Sequence, residues 1–436
     1  MRTLDTSINR RQFLAGTLLA AGALVLWPKL TFAATGSDTR FLLVLLRGGL
    51  DGLEAVPPFG DPGYSAIRGA LALSPDGSSK PNVPPAHKLD STFALHPSLD
   101  YASQLYTQGQ FMPYVAAAPP YWGRSHFDAQ DCLENGTAQP HGAQDGWLNR
   151  CVAAMPGVEG LAVATVMPLS MRGRGNVSSW SPPLPTQVNP ILLQRLQPLY
   201  AEDPRLAETF IRAIAQQQDA PSLPTVPQIL PATSMPVRNK VVPTQAMAAP
   251  RAQEKGTSGK PYAGQLPLLM GAAGGFMAKV NGPRVGFVED NGWDTHANEA
   301  AILQRKLAEL DAGIKAYREA MGDTWSRTII AVVTEFGRTA AINGTGGTDH
   351  GTGGAMFLAG GALRGGHVGG QWPGIGRGQL YQDRDLHATT DLRGVFKGVL
   401  AAHLGVSESA LETRVFPGSG KVAPAENLVG RARAAV

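Results

Sequence analysis

Residues 40–52 read RFLLVLLRGGLDG. The apolar run between Arg40 and Arg47 is too short for a buried helix and fits a strand covered on both faces. It stops at Gly48-Gly49-Leu50-Asp51-Gly52. Glycines there allow a tight turn and close approach of the backbone to a ligand. In open α/β sheets ligands sit beyond the carboxyl ends of strands, which is where Asp51 falls.

Working outward, the sequence predicts a helix over Ser98–Gln108, a strand over Phe111–Ala117, and a helix capped by Ser125 that ends near Asn135-Gly136. Further strands are expected at Leu161–Val166, Val285–Glu289, Thr328–Thr334 and Ala355–Ala359. Helices are expected at Leu192–Gln217, Leu266–Val280 and Asn298–Met321, the last carrying Leu303, Leu307, Leu310, Ile314 and Tyr317 at spacings of 3–4. Residues 220–252 are rich in Pro, Ala, Ser, Thr and Gln and lack period, so they read as a mobile insertion. Strands alternating with helices predict an α/β fold, a mostly parallel central sheet with helices on both faces.

The chain has 436 residues with 52 glycines and 34 prolines, an excess over the usual ~7% and ~5% that fits many turns and long loops. Two cysteines, Cys132 and Cys151, exclude a disulfide scaffold and a four-cysteine zinc module. Residues 1–33 carry Arg2, Arg10, Arg11 and Lys29 against Asp5, a balance of +3. Removing them from the total of +4 leaves +1, with no basic cluster suited to nucleic acid. The pair Arg10-Arg11, then Phe13-Leu14, an apolar run to Trp27 and small residues near Ala33 resemble a twin-arginine signal peptide. Export to a bacterial periplasm through the twin-arginine machinery is the expectation, with no stable membrane span in the mature chain.

Acidic and histidine residues recur where strands should end: Asp51, Asp294 with His296, Glu335, and Asp349 with His350, with Ser125-His126 as a fifth element. Gathered carboxylates repel unless a cation lies between them. Carboxylate oxygen and imidazole nitrogen together suit zinc, and carboxylates alone suit harder ions. Read singly, each has a plainer role. Asp51 and Asp349 fit turn chemistry, Asp294 and Ser125 fit helix caps, and Glu335 with Arg338 fits a structural ion pair. Recurrence of one placement favours a metal site. No Gly-x-Ser-x-Gly elbow and no phosphate-loop ending is present.

The ordered motifs LVLLRGGLDGLEAVPPFGDPGY (43–64), RSHFDAQDCLENG (124–136), DGWLNR (145–150), GWDTHAN (292–298), TEFGRT (334–339), NGTGGTDHGTGGAMFLAGG (343–361), WPG (372–374) and TTDLRGVF (389–396) resemble the exported bacterial family called domain of unknown function 1501. That family falls within the alkaline phosphatase and sulfatase-like superfamily. The resemblance implies one domain over about residues 40–410, between a signal peptide at 1–33 and a tail at 411–436. It implies that Asp51, Asp294, His296, Glu335, Asp349 and His350 bind one or two divalent ions, zinc ahead of calcium or manganese. Ser125 matches the place of the nucleophile. Three departures stand out. Glu335-Phe336 replaces an Asp-His pair, the spacing from Asp294 to His296 is shorter than the usual one, and the sulfatase cysteine signature is absent, since Leu133-Glu134-Asn135 follows Cys132.

The function expected is a periplasmic, metal-dependent hydrolase of small phosphate or sulfate esters. Ser125 would attack, and Arg124 and Arg338 would clamp the substrate oxygens. The alternative is a non-catalytic exported protein that binds a metal or a partner on the same fold.

Overall fold

The computed structural model describes residues 38–77, 84–182, 207 and 264–430. The expected signal peptide, the helix over 192–217 but for residue 207, and the insertion over 220–252 lie outside the described residues. In chain order the main elements are strand β1 (Arg40–Arg47), helices α1 (Gly52–Ala55), α2 (Tyr64–Arg68) and α3 (Asp100–Thr107), strand β2 (Phe111–Ala118), helices α4 (His126–Asn135) and α5 (Trp147–Ala153), strands β3 (Gly160–Val163) and β4 (Val177–Trp180), helix α6 (Leu266–Met277), strand β5 (Val285–Asn291), helix α7 (Glu299–Met321), strands β6 (Thr328–Thr334), β7 (Gly354–Ala359) and β8 (Thr390–Asp391), and helix α8 (Leu392–Leu404).

The eight strands form one sheet in the order β8-β2-β7-β6-β1-β5-β3-β4. β1 lies inside it, parallel to β5 and to β6. β7 pairs antiparallel with both β2 and β6, so it alone runs against the rest. The sheet is therefore mostly parallel, as expected. The reversal has a consequence for the site, because Asp349 and His350 lead into β7 and do not follow a strand. They still reach the edge where β1, β2, β5 and β6 end.

The side chains of β1 alternate between two cores. Leu42, Val44 and Leu46 join α3, α6 and α7 on one face. Phe41, Leu43 and Leu45 join α5 and α8 on the other. A strand packed on both faces needs apolar residues at every position, which explains the unbroken run. The described part of the expected tail enters the second core through Leu411, Val415, Phe416 and Leu428. Among the described residues no helix is long and apolar enough to cross a membrane.

Local sequence accounts for the helices that carry the site. Ser125 caps α4 by accepting from the Asp128 N–H, and Gly136 closes it in the left-handed conformation. The helix expected over Asn298–Met321 begins at Glu299 and ends at Met321, with Gly322 following at φ 50°. Helix α5 has no capping side chain and owes its place to packing, with Trp147 stacked on Phe396 at 4.5 Å, whereas α8 is capped by Asp391, which accepts from the Arg393 N–H, and closed by the left-handed Gly405.

Candidate metal centre

Five loops meet at the sheet edge. The turn after β1 passes beneath Asp294. A Cβ on Gly48 would lie 2.4 Å from the Asp294 nitrogen, and its φ of +127° is open to glycine. Gly347 is confined in the same way, since its Cβ would lie 2.4 Å from the His296 carbonyl carbon. These contacts draw the loops bearing Asp294, His296, Asp349 and His350 together.

Three imidazoles converge on the Asp294 carboxylate. His296 Nε2 lies 3.1 Å and His350 Nε2 3.3 Å from Asp294 Oδ1. The two Nε2 atoms are 3.0 Å apart. His126 Nε2 lies 3.5 Å from Asp294 Oδ2 and has no hydrogen-bond partner. The other nitrogen of each ring is held from behind. His126 Nδ1 donates to Glu335 Oε1 (2.8 Å), His350 Nδ1 to the Arg124 carbonyl (3.0 Å) and His296 Nδ1 to Asp349 Oδ1 (3.1 Å). A metal-binding histidine is oriented in this way, with an acceptor on one nitrogen and a lone pair on the other. Ligands about 2.05 Å from a tetrahedral zinc stand about 3.3 Å apart. The separations of 3.0–3.3 Å among His296 Nε2, His350 Nε2 and Asp294 Oδ1 fit that shell, and His126 joins from the other carboxylate oxygen, in one group with Asp294 and His350.

The electrostatics agree. Burial works against the Asp294 charge, yet His126, His350 and Arg338 hold its carboxyl well below the usual range. Contacts to Asp294 and then Glu335 raise His126 to about 9. Glu335 is buried, and the donors His126, Gln130 and Gly48 keep it ionised against that burial. Phe336 packs against His126 at 4.8 Å and His350 at 4.9 Å, walling the cluster with an apolar ring.

The expected site residues thus fall into groups. Asp294, His296, Asp349 and His350 meet. Glu335 stands behind His126, and no contact places it on the shared centre. Asp51 is elsewhere. It caps α1, accepting from the Leu53 N–H (2.9 Å) and Glu54 N–H (3.3 Å), and pairs with Arg68 in a buried group with Glu54 and Glu299. Burial and then the Asp51 charge raise the Glu299 carboxyl to about 10.

The clamp expected of Arg338 does not fit its contacts. Its guanidinium is buried and donates to the carbonyls of Gly48, Gly49, Trp293 and Thr348 and to Asp294 Oδ1 (2.6 Å). It fixes Asp294 and has no fork left for a substrate. Arg124 likewise binds Asp385 Oδ2 (2.7 Å) and Gln382 Oε1 (2.7 Å). Ser125 sits beside His126, its Oγ 3.5 Å from the Asp128 nitrogen.

The ligand set drawn from the resemblance omits His126. Its signal was a polar stripe at spacing 4 on α4. Gln130 donates to Glu335 (2.9 Å) and Glu134 takes Arg47 (2.8 Å), so His126, Gln130 and Glu134 share the face turned to the strand ends.

The chain belongs to the family described as protein of unknown function DUF1501, whose model matches residues 38–413. No curated protein matches it. Among solved structures it is similar to Ps i-CgsB in complex with k-i-k-neocarrahexaose, at 12% identity over 89% of this chain and 77% of that one, with a TM-score of 0.40. It is also similar to a 2-O GAG sulfatase, at 9% identity over 74% and 64% of the two chains and a TM-score of 0.28. A third is TAB5 alkaline phosphatase in a mutant form with Mg bound, at 12% identity over 74% and 91% and a TM-score of 0.31.

Proposed function

We propose that this chain is a metal-dependent hydrolase of small phosphate or sulfate esters, with one divalent ion held by His126, Asp294 and His350 and with His296 beside them. One observation carries the reading. Three imidazoles, each pinned through Nδ1, turn Nε2 toward one carboxylate. Two nitrogens and an oxygen suit zinc better than calcium, which prefers oxygen alone. When bound, the ion supplies Lewis-acid stabilisation of charge on the transferring group.

The protein's own part is positioning. Glu335 orients His126, Arg124 orients His350 through its carbonyl, and Arg338 fixes Asp294. Ser125 is the nucleophile of this reading. It stands at the start of α4 beside His126, and its hydroxyl proton is committed to no acceptor among the described residues. Its Oγ would bond to phosphorus or sulfur as the ester bond to the alcohol oxygen breaks, the serine proton passing through water to the departing alkoxide. A second water would then release phosphate or sulfate from Ser125. Ser125→Ala should abolish turnover and leave metal content unchanged, while full turnover by the variant would exclude the assignment.

A second reading, a non-catalytic exported protein that binds metal or a partner, draws on the engagement of both expected clamp arginines. Stoichiometric metal with no turnover across phosphate and sulfate ester panels would select it. Either reading places the protein in the bacterial periplasm through Arg10-Arg11 and the apolar run that follows. Replacing both arginines by lysine should retain the precursor in the cytoplasm, and unchanged export would refute the twin-arginine route.

A further inference from the structure

Two groups of side chains near the ends of β1, β5 and β6 have the composition of a cation site: His126 with Asp294 and His350, and Asp51 with Glu54 and Glu299. We infer that only the first takes a metal, and that Arg68 is the built-in cation of the second, fixing the stoichiometry at one ion per chain. The first half of the inference rests on the metal reading above. The second half stands on the packing around Arg68.

Arg68 is fully buried. Its Nη2 is in contact with Asp51 Oδ2 and lies 3.7 Å from Glu54 Oε2. Its Nη1 reaches the carbonyls of Thr339 (3.4 Å) and Ala340 (3.3 Å). The other oxygen of Asp51 already accepts two backbone N–H groups, which fills its two lone pairs. Glu299 Oε2 is engaged by the Thr348 hydroxyl at 2.7 Å. A divalent ion at Asp51 would have to displace a guanidinium that has no solvent to move into.

Access separates the two groups as well. The side chains of His126 and His350 are 23% and 26% exposed, and those of Asp294 and His296 are 43% and 45%. Those of Asp51 and Arg68 are 1% and 0% exposed. An ion can exchange with water at the first group. At the second the positive charge arrives with the chain during folding and cannot leave. The turn bearing Asp51 then stays ordered with or without metal, so a chelator should strip the first site and leave the fold standing.

The test is elemental mass spectrometry of the purified full chain, stripped with EDTA, reloaded with excess zinc and dialysed, beside His350→Ala and Arg68→Met. One equivalent in the wild type, lost in His350→Ala, supports the inference. Two equivalents in the wild type, or one that persists in His350→Ala, overturns it. No metal in any form would instead defeat the metal reading, a failure distinct from the first. Arg68→Met should gain a second equivalent or become dependent on divalent ions for its melting temperature. If it folds with unchanged stability and one ion, Arg68 is not serving as the cation. Should the variant fail to fold, the wild-type count still decides.

Discussion

Glu335 separates a ligand from a support. Its Oε1 accepts from the Gly48 N–H (2.8 Å), Gln130 Nε2 (2.9 Å) and His126 Nδ1 (2.8 Å), and its Oε2 lies 2.9 Å from Thr334 Oγ1. In Glu335→Gln the amide nitrogen can take the Oε2 place. It would donate there to Thr334 Oγ1, whose own proton goes to the Leu46 carbonyl (2.8 Å). Every donor at Oε1 then keeps its acceptor, and only the charge is lost. Loss of a partner that orients a metal-binding histidine costs about 10–100-fold in affinity, or about 1.4–2.8 kcal/mol. Glu335→Ala instead leaves three donors around a buried void, at about 1–3 kcal/mol for each buried donor unmet. Competition with a zinc-chelating dye gives the affinities, and urea denaturation of the metal-free proteins gives the stabilities. The expected pattern is a moderate affinity loss with near-native stability for the glutamine variant, and a loss of several kcal/mol in stability for the alanine variant. Wild-type affinity in Glu335→Gln would refute the support of His126. A loss beyond about 1,000-fold would put Glu335 on the ion itself, outside the range of an orienting partner.

Other variants test the same geometry. Gly48→Ala places a Cβ 2.4 Å from the Asp294 nitrogen at a φ of +127°, so it should cost about 1–3 kcal/mol and reduce zinc content, read by thermal melting and elemental analysis. Arg338→Lys cannot reproduce contacts to four carbonyls and Asp294 with one ammonium, and should weaken zinc binding and lower the melting temperature together. Burial holds His403 neutral, its pKa lowered to about 4, against the Arg40 carbonyl at 2.9 Å. The unfolded chain takes up that proton near pH 6.5 and the native chain near 4, so stability should decrease as the pH is lowered through that window, by about 3 kcal/mol at most. Urea titrations at pH 7 and 4.5 should show a shallower loss in His403→Gln.

Much of the architecture was legible because local and tertiary demands coincide. In β1 both faces are buried, so the sequence is apolar throughout and ends where Gly48 and Gly49 turn. In α4 the cap at Ser125 and the left-handed Gly136 mark both ends within the sequence itself. The strand at 161–166 runs instead over Gly160–Val163, because pairing with both neighbours stops there. The direction of β7 was not legible. Nothing in GAMFLA says which way a strand runs, and its reversal depends on pairing with β2 and β6 across the sheet.

The site was legible by residue type and not by grouping. Asp51 and Asp294 each follow a strand and a glycine, and sequence gives them the same standing. What divides them is Arg68, seventeen positions beyond Asp51, brought beneath it by a helix of five residues. His126 lay hidden for the opposite reason, because its neighbour Ser125 has the stronger sequence signal as a cap. Its role depends on Glu335, more than two hundred residues away at the end of β6. A carboxylate that looks like a ligand in sequence can be a support in space, and a histidine that looks like a helix-start residue can be the ligand it supports. The centre is therefore best understood as two layers at the sheet edge. The outer layer has histidines turned toward water and Asp294. Beneath it, Glu335 holds His126, Arg338 holds Asp294 and Arg68 pairs with Asp51, which keeps the outer layer in place. Metal would exchange in the outer layer alone, and the charges beneath it would keep the loops assembled between one ion and the next.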